Sequence, residues 1–235
     1  MSTRKRISAL FFAGCLAFSF LPAMAQNDTV TPVTVGAGMD VMSRYVWRGQ
    51  DYGQTPSFQP GLSATWKGFT VGAWGAYKVA GKGLQETDFY LSKTFGFVTL
   101  AVWDYWAFDD VAETDFFNYR NETTSHTLDA SITLSGGETL PLNFLVSYMF
   151  YGADPSRSLY LELQYEHSFN TFDLQAFAGY QAKGEYYGDR KGFVNIGCTV
   201  SKSISVTEAF SVPFSLSLVA NPMAGSAWLV AGFSF

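Results

Sequence analysis

The sequence predicts an all-β fold: a single membrane-spanning, antiparallel β-barrel of about twelve strands, with short turns at one rim and longer loops at the other. Three observations predict it. Apolar and polar residues alternate with a period of two along most of the chain, which is typical of strands with one apolar and one polar face. Apolar residues make up 48% of the chain, yet beyond the N-terminus no apolar run is long enough to span a membrane as a helix. Short and long connections also alternate between the strands.

Residues 1–25 have the three parts of an export signal. A basic start, "MSTRKR", precedes an apolar stretch, "ISALFFAGCLAFSFL", and "PAMA" then supplies small residues at the spacing that a signal peptidase recognises. The apolar stretch of about 15 residues is shorter than the roughly 20 that a spanning helix needs. Cys15 follows small residues, as a lipidation site requires, but the apolar stretch continues well beyond it. We therefore expect cleavage near Gln26 and a barrel that occupies residues 26–235.

Twelve stretches show the strand alternation, and most are about 9–11 residues long, the length that a tilted membrane-spanning strand needs. The first stretch alternates valine, alanine and methionine with glycine and Asp40, and we expect it to run on through Arg44 and Arg48. The eighth sets three leucines against tyrosine, glutamate and glutamine, whereas the fourth, fifth, seventh and twelfth are less regular. In chain order the candidates are 34–41, 57–66, 69–77, 85–93, 97–106, 125–134, 142–150, 158–167, 172–181, 193–201, 210–218 and 227–235.

The connections between these candidates differ in length in an alternating order. Those after the even-numbered candidates are mostly tight, such as "KG" at 67–68 and "NT" at 170–171. Those after the odd-numbered candidates are mostly longer and more polar, such as "GQDYGQTP" and "FDDVAETDFFNYRNETTS". Short turns at one rim and long loops at the other are typical of outer-membrane barrels, and an even strand number brings both termini to the short-turn rim.

The chain ends on an aromatic residue of the last alternating stretch. Phe233 and Phe235 lie two positions apart on its apolar face. A terminal phenylalanine in this position resembles the signal that the bacterial outer-membrane barrel assembly machinery reads, so we expect that machinery and outer-membrane lipid as partners. The alternative fold is a soluble twelve-stranded sandwich, which would be expected to carry more surface charge than the 15% of charged residues in this chain.

Charged residues lie almost entirely at one of the two sets of alternate positions along the candidate strands, the set opposite to the apolar residues; we call each set a parity. Because a lysine or arginine facing lipid costs about 2–4 kcal/mol at the bilayer midplane, we expect this parity to line the lumen. The expected lumen-lining residues are seven acids and three bases: Asp40, Arg44, Arg48, Lys78, Glu86, Asp88, Asp129, Glu162, Glu166 and Asp173. Asp104 lies on the opposite parity. Tyr45 and Trp47 alternate with the two arginines and are expected to face the outer-membrane interface.

The charge and cysteine content exclude several classes of function. Removing residues 1–25 takes away three of the 15 basic residues and none of the 20 acidic ones, which leaves a formal charge of −8. An acidic chain disfavours nucleic acid as a partner. Cys198 is then the one cysteine left, so neither an internal disulfide nor a paired-cysteine metal site is expected.

Two histidines remain after the export signal, and neither lies in a catalytic motif. Outer-membrane phospholipases place a serine two residues after the catalytic histidine, but Leu128 follows His126 and Phe169 follows His167 at that spacing. No GxSxG motif replaces this arrangement. We therefore interpret both histidines as interfacial residues and expect no enzymatic activity.

An acidic cluster lies in the longest of the expected loops. Its members are Asp109, Asp110, Glu113 and Asp115. They lack the glycine-centred ligand spacing of an EF-hand, so a solvated loop face is favoured over a cation site. No metal ion or other cofactor is expected.

The stretch "SRYVWRG", followed by "TPSFQPGLSATWKGFTVGAW", resembles the opening of the TorF-type porin family of bacterial outer-membrane proteins. The early strand of that family carries a similar S-x-Y-x-x-R-G stretch, followed by a proline and a glycine-rich second strand. The matching residues in this chain are Ser43, Tyr45, Arg48, Gly49, Pro56, Gly61 and Gly72. The resemblance covers about the first fifth of the mature chain and implies a porin-like role. The twelve-stranded architecture is also similar to that of nucleoside-specific channels.

These features predict a Gram-negative outer-membrane barrel that acts as a narrow porin or channel for the transport of small polar solutes. Diffusion past a polar lining needs no cofactor, and a water-filled lumen with more acids than bases would prefer cations. Two other classes stay open. A closed structural or adhesion barrel would have a lumen crossed by salt bridges, and an outer-membrane lipid enzyme is the more distant alternative.

Overall fold

Twelve strands close into one antiparallel barrel in the computed structural model of the chain, which describes residues 32–81, 83–109, 115–137 and 140–235. The strands are β1 (Thr34–Met42), β2 (Val46–Trp47), β3 (Gln50–Asp51), β4 (Ser57–Trp66), β5 (Phe69–Lys78), β6 (Gln85–Phe95), β7 (Val98–Phe108), β8 (His126–Ser135), β9 (Leu142–Gly152), β10 (Leu159–Ser168), β11 (Asp173–Lys183), β12 (Gly192–Ser205), β13 (Ser211–Asn221) and β14 (Ser226–Ser234). The short strands β2 and β3 form a separate hairpin. None of the described residues forms a helix long and apolar enough to cross a membrane. The expected export signal, residues 1–25, lies outside the described residues.

The closed antiparallel barrel that the sequence predicts is confirmed. Each of the twelve candidate stretches corresponds to one barrel strand, and the strand ends differ from the expected ones by a few residues. β1 closes the cylinder because it pairs with both β4 and β14. At this closure, Asp40 lies opposite Gln59 on one side and Ser234 on the other. Closure pairs the backbone groups that would otherwise form an open sheet edge.

The two rims of the barrel differ in the length of their connections. One rim, the turn rim, is where β4 connects to β5, β6 to β7, β8 to β9, β10 to β11 and β12 to β13. The other, the loop rim, is where β1 connects to β4, β5 to β6, β7 to β8, β9 to β10, β11 to β12 and β13 to β14. The alternation of tight turns with mostly longer loops agrees with the sequence-based prediction.

The two faces of the barrel wall are opposite in polarity. The outer face is apolar and exposed: Leu62, Val71 and Leu229 keep 58%, 58% and 64% of their surface accessible. The inner face carries polar side chains that are almost completely buried, such as Ser57 and Gln59. This distribution is the reverse of that in a soluble protein, whose apolar side chains pack inside. It follows from the period-two alternation, since successive side chains of a strand point to opposite faces.

The structure corrects the prediction for the end of the first strand. β1 ends at Met42, so Arg44 and Arg48 do not belong to the barrel wall and lie in the loop that follows. Tyr45 and Trp47, expected at the outer-membrane interface, instead pack among buried aromatic side chains. The physical reason is that the pairing of β1 with β4 and β14 ends at Met42; the chain then leaves the wall and reverses at the two-residue turn of Arg48 and Gly49, which creates the β2–β3 hairpin. Alternation of residue types does not distinguish a long strand from a strand followed by a hairpin.

Candidate functional site inside the barrel

A β-hairpin folds into the barrel at the loop rim. Its strands β2 and β3 pair Trp47 with Gln50. The two residues between them are Arg48, with φ 47°, and Gly49, with φ 75°. A two-residue turn with positive φ at both central positions matches the right-handed twist of the flanking strands, and this match explains why so short a hairpin forms here.

The tip of the hairpin is held by the barrel wall. The Gly49 carbonyl accepts a hydrogen bond of 3.0 Å from Nδ2 of Asn221, which is buried on β13. Gly49 also lies so close to β12 that a Cβ atom would be 1.8 Å from the carbonyl oxygen of Val194. Gln50 donates from Nε2 to the carbonyl of Tyr186 at 2.7 Å. These contacts seat the hairpin within the barrel.

The guanidinium of Arg48 lies among three aromatic rings and one carboxylate, a site that we call the Arg48 cage: Trp47, Tyr160, Tyr187 and Asp129. The Arg48 Cζ atom is 4.4 Å from the ring centroid of Trp47, 4.5 Å from that of Tyr160 and 5.7 Å from that of Tyr187. Arg48 Nη1 donates to the Tyr187 hydroxyl at 2.5 Å and lies 3.6 Å from Oδ2 of Asp129. Rings within about 6 Å attract a cation through their electron-rich faces.

Two buried carboxylates support the cage. Asp129 on β8 accepts a hydrogen bond from the Ser147 hydroxyl through Oδ2, whereas its Oδ1 accepts none from the described residues. Glu162 on β10 accepts hydrogen bonds from the Tyr160 hydroxyl and, at 2.8 Å, from Nδ2 of Asn195. A phenol that donates to a carboxylate has a more electron-rich ring, so Glu162 strengthens the attraction of Tyr160 for a cation.

A second aromatic group lies against the other part of the same loop. The ring of Tyr45 is 5.5 Å from that of Tyr52 and 5.3 Å from that of Trp74 on β5. The Tyr45 hydroxyl donates to Oε1 of Glu86 at 3.2 Å. Glu86 and Asp88 both project from β6 to the inner face, where each is buried. The hairpin therefore brings aromatic rings next to acids on both sides of the barrel interior.

Burial sets the protonation of the groups around the hairpin. It raises the pKa of Tyr52 well above its usual value and raises the pKa of Tyr186 to about 12. Both phenols therefore stay neutral near physiological pH. Burial alone would lower the pKa of Arg48, but the oxygens of Tyr187 and Asp129 hold that pKa well above its usual value. The guanidinium in the cage is accordingly charged.

An open cavity of about 580 Å³ lies beside the hairpin at the loop rim. Gln50 and Trp228 line it together with Arg44. Arg44 forms an ion pair with Asp51 and keeps 41% of its side chain exposed, in contrast to the buried Arg48. The cavity offers a mixed polar and aromatic surface beside the hairpin.

The other predicted lumen residues lie apart from the cage. Asp40 is buried on the inner face of β1. Lys78 donates from Nζ to a loop carbonyl at 2.8 Å. Glu166 accepts a hydrogen bond of 2.9 Å from a glutamine of β11, and Asp173 is exposed at the start of β11, beside the turn rim. Within the cage the structure brings together Arg48 and Asp129 and connects Glu162 to it through the Tyr160 hydroxyl, whereas Glu86 and Asp88 form a separate pair on β6.

The two phenylalanines at the end of the chain lie where β14 meets β1. The Phe233 ring packs 5.1 Å from that of Phe214. The backbone of Phe235 exchanges two hydrogen bonds of 3.0 Å with Met39. Their role in barrel assembly stays a prediction.

A further charged cluster, which we call the outer His126 cluster, lies on the outer face at the loop rim. The two ring nitrogens of His126 each meet an oxygen at 2.7 Å: Nδ1 meets Oδ1 of Asp104, and Nε2 meets the carbonyl of Phe116. Tyr119 donates to Oδ2 of Asp104 at 2.6 Å and stacks on His126 with ring centroids 4.0 Å apart. Residues 115–125, the described part of the β7–β8 loop, therefore cover the wall at this point.

Sequence reasoning missed part of both sites. Asp104 stands at a strand position where the alternation predicts an apolar residue, so the sequence marked it as unusual. The sequence did not predict that it pairs with His126. Tyr160 shares its parity with Glu162, which marks it as an inner-face residue, whereas Tyr187 in a loop carries no such signal.

Of the four acids in the loop cluster that was predicted as a solvated face, Asp109 and Asp115 are among the described residues. Asp110 and Glu113 lie outside the described residues. Elsewhere in the described ranges, no group of three or more histidine, cysteine, aspartate and glutamate side chains could hold a metal ion.

The fold and the site define a class of protein: a closed twelve-stranded β-barrel with an exposed apolar outer face, a polar inner face and a hairpin folded inside. A family model described as "Bacterial protein of unknown function (Gcw_chp)" matches residues 26–218, and the chain belongs to this family. No curated protein and no solved structure matches the chain.

Proposed function

We propose that this protein is an outer-membrane β-barrel that forms a narrow channel for small polar solutes, constricted by the β2–β3 hairpin. The observation that carries the proposal is the reversed polarity of the wall, with apolar side chains exposed outside and polar side chains inside. A closed barrel satisfies its backbone hydrogen bonds without water, so an apolar outer face suits lipid. A polar inner face suits water and small polar solutes.

The charges of the inner face favour cations. Asp129 and Glu162 are buried within the barrel, and Arg48 is the cation that the hairpin brings next to them. Acidic groups that line a pore raise the local concentration of cations and lower that of anions. We therefore propose a channel with a preference for cations.

Location in the outer membrane belongs to the same proposal. The partners are lipid around the wall and the barrel assembly machinery during biogenesis. Membership of a bacterial family supports it, as does the resemblance of the "SRYVWRG" stretch to the TorF-type porins. The expected export signal and the terminal phenylalanines agree with this route.

A closed structural barrel is the second candidate, and one contact favours it. Arg48 lies 3.6 Å from Asp129, and the side chains of the two residues are only 9% and 0% exposed. The hairpin therefore links the β1–β4 connection to β8, nearly opposite in the strand order of the barrel. In this candidate the hairpin is a permanent plug, and the inserted barrel passes no current.

Single-channel recording in planar bilayers separates the two candidates. We expect the wild-type chain to give small, discrete, cation-preferring conductance steps. A Tyr45→Ala/Trp47→Ala/Arg48→Ala variant removes the side chains that seat the hairpin and keeps the loop length. We expect its steps to be at least about threefold larger, because the hairpin no longer narrows the lumen.

A matched triple variant of the outer loop is the control. Phe116→Ala/Phe117→Ala/Tyr119→Ala removes three aromatic side chains from the outer face, and we expect wild-type conductance. Heat-modifiable migration in mild detergent establishes that each chain has folded. If the hairpin variant gives conductance steps and the wild-type chain gives none, the barrel is closed and the hairpin is its plug. Folded chains that give no steps in any variant contradict the channel.

We propose no enzymatic step for this barrel. His126 and Asp104 form a pair of the kind that catalytic sites use, but Nε2 of His126 faces the carbonyl of Phe116. A histidine that activates a nucleophile needs a hydroxyl or thiol at that nitrogen. The pair is better explained as the anchor of the loop that covers it.

A further inference from the structure

Arg48 occupies a backbone conformation that disfavours it. Its φ of 47° lies in the left-handed region, which costs a non-glycine residue about 1–2 kcal/mol. A glycine at this position would form the same turn without that cost. Residues are held in such conformations where their surroundings determine them, and they concentrate at functional sites. Lys67 has a φ of 48° in an ordinary turn with its side chain exposed, so the feature that distinguishes Arg48 is the burial of its side chain and the contacts that it makes there.

The cage fits a planar, delocalised cation. Trp47 and Tyr160 place their rings 4.4 and 4.5 Å from the guanidinium carbon, and Tyr187 accepts a hydrogen bond from Nη1. A guanidinium stacks on aromatic rings and is more weakly hydrated than an ammonium, so it is less costly to bury. The buried Glu162, bonded to the Tyr160 hydroxyl, increases the attraction.

Asp129 leaves one acceptor of the cage unused. Arg48 approaches Oδ2 of Asp129 to 3.6 Å, which is longer than a hydrogen bond. Oδ1 is buried and accepts no hydrogen bond within the described part of the chain. A guanidinium that is not tied to the hairpin can turn its fork toward both oxygens and donate two parallel hydrogen bonds. The buried Oδ1 without a hydrogen bond is an observation independent of the rings, and a guanidinium ligand is one that can supply its donor.

We propose that the Arg48 cage is a recognition site for solutes that carry a guanidinium group, and that Arg48 is the tethered group that fills this site while the hairpin is seated. The inference rests on the proposed channel, because the solute reaches the cage through the barrel. Solute and the Arg48 side chain compete for the rings of Tyr160 and Tyr187 and for the carboxylate of Asp129, whereas Trp47 belongs to the hairpin. Solute binding therefore favours the state in which the Arg48 side chain has left the cage.

The test empties the cage without breaking the turn. Arg48→Gly removes the guanidinium and places glycine at a positive φ. Methylguanidinium chloride is titrated by calorimetry into the purified full chain in detergent micelles, at constant ionic strength with sodium chloride. We expect the Arg48→Gly chain to bind the probe about tenfold or more tightly than wild type, whose own arginine competes. Arg190→Gly, which removes an exposed loop arginine, is the matched control and should behave as wild type.

Two further variants complete the design. Asp129→Asn in the Arg48→Gly background removes the carboxylate charge, and we expect the affinity to fall about tenfold or more. Arg48→Lys keeps a cation in the cage and serves if the Arg48→Gly chain does not fold. We expect this variant to bind methylguanidinium more tightly than wild type, because an ammonium competes less well for stacked rings.

The outcomes separate the cage from the channel. Equal affinities of wild type and Arg48→Gly, or of Arg48→Lys where that variant is used, overturn the cage proposal. It is also overturned if Asp129→Asn leaves the affinity unchanged, or if tetramethylammonium, which has no N–H donor, binds as tightly as methylguanidinium. Calorimetry does not depend on conduction: binding without conductance steps contradicts the channel alone, and steps without binding contradict the cage alone.

Discussion

Two loops at the same rim carry similar residues and fold in opposite directions. The loop 43–56 turns inward and places Arg48 among the tyrosines and acids of the barrel interior. The described part of the β7–β8 loop, 115–125, turns outward and covers His126 and Asp104 on the outer face. Each loop carries several aromatic rings; the inward loop buries its own Arg48, whereas the outward loop covers His126 of β8.

Each loop meets a part of the wall whose side chains match its own. The inner face near the loop rim offers carboxylates and amides, such as Asp129 and Asn221, which satisfy the polar groups of the hairpin. The outer face offers apolar side chains apart from Asp104, whose charge needs a partner. Tyr119 and His126 supply that partner and allow the loop to close over the wall. The two loops can therefore be released separately.

Gly49→Ala is expected to have the largest effect, and it acts on the inward loop alone. A Cβ at Gly49 would lie 1.8 Å from the Val194 carbonyl oxygen, and its φ of 75° disfavours alanine. Overpacking and the left-handed backbone together cost about 2–5 kcal/mol, enough to unseat the hairpin. We expect conductance steps several times larger than those of wild type, measured in planar bilayers.

Gly81→Ala is the matched control for that variant. Gly81 has a similar φ of 81° in the β5–β6 loop, but a Cβ there would meet nothing within 4 Å. It carries the backbone cost of about 1–2 kcal/mol without the clash, so we expect wild-type steps. Equal conductance of the two variants would show that the hairpin does not narrow the lumen.

Asp104→Asn is expected to release the outward loop and to leave the hairpin seated. It removes the charged acceptor of Tyr119 and His126, and such hydrogen bonds contribute about 1.5–3 kcal/mol each. Trypsin cleavage after the exposed Arg120 should accelerate about tenfold, measured on the folded chain. Cleavage after Arg190, in the β11–β12 loop, is the internal control and should keep its rate. A conductance change in this variant would contradict the separation of the two loops.

The sequence predicted the barrel because the wall repeats one physical rule. Successive side chains of a strand point to opposite faces, so the alternation of residue types predicts which side chains face outward and which face inward. The same rule failed after Met42, where Arg44 and Arg48 continued the alternation but the backbone turned at Gly49. A tight turn of this kind needs positive φ at both central residues, where asparagine, aspartate or glycine is usual. Arginine at the first of these positions therefore did not indicate a turn.

The candidate site was less predictable than the fold. Asp129 and Glu162 were expected to line the lumen from their alternate positions in the strands, and the structure shows both buried. Their grouping with Arg48 depends on how far a loop reaches across the barrel, which strand periodicity does not encode. Tyr187 comes from another loop and Tyr160 from the wall, so the cage exists only after closure brings them together.

Tyr119→Phe is expected to have the smallest effect and to act on the outward loop alone. It removes the 2.6 Å hydrogen bond to Asp104 and keeps the ring that stacks on His126. Because Tyr119 is 41% exposed, water replaces part of the lost bond. We expect trypsin cleavage after Arg120 to accelerate by about two- to fivefold. Tyr165→Phe, on the outer face of β10, is the matched control and should keep the wild-type rate.

Ionisation of Tyr119 is expected to release the outward loop from the wall at high pH. Burial, together with the hydrogen bond to Asp104, raises the pKa of Tyr119 to about 12. In the released loop the phenol ionises near its ordinary pKa of about 10. The stabilisation is therefore complete below pH 10 and is lost as the pH rises through about 12, since the released loop gives up its proton first. The absorbance difference between wild type and Tyr119→Phe isolates this tyrosinate from that of Tyr186. A midpoint near pH 10 would mean that Tyr119 is not held on Asp104, and that the outward loop lies on the wall without its polar anchor.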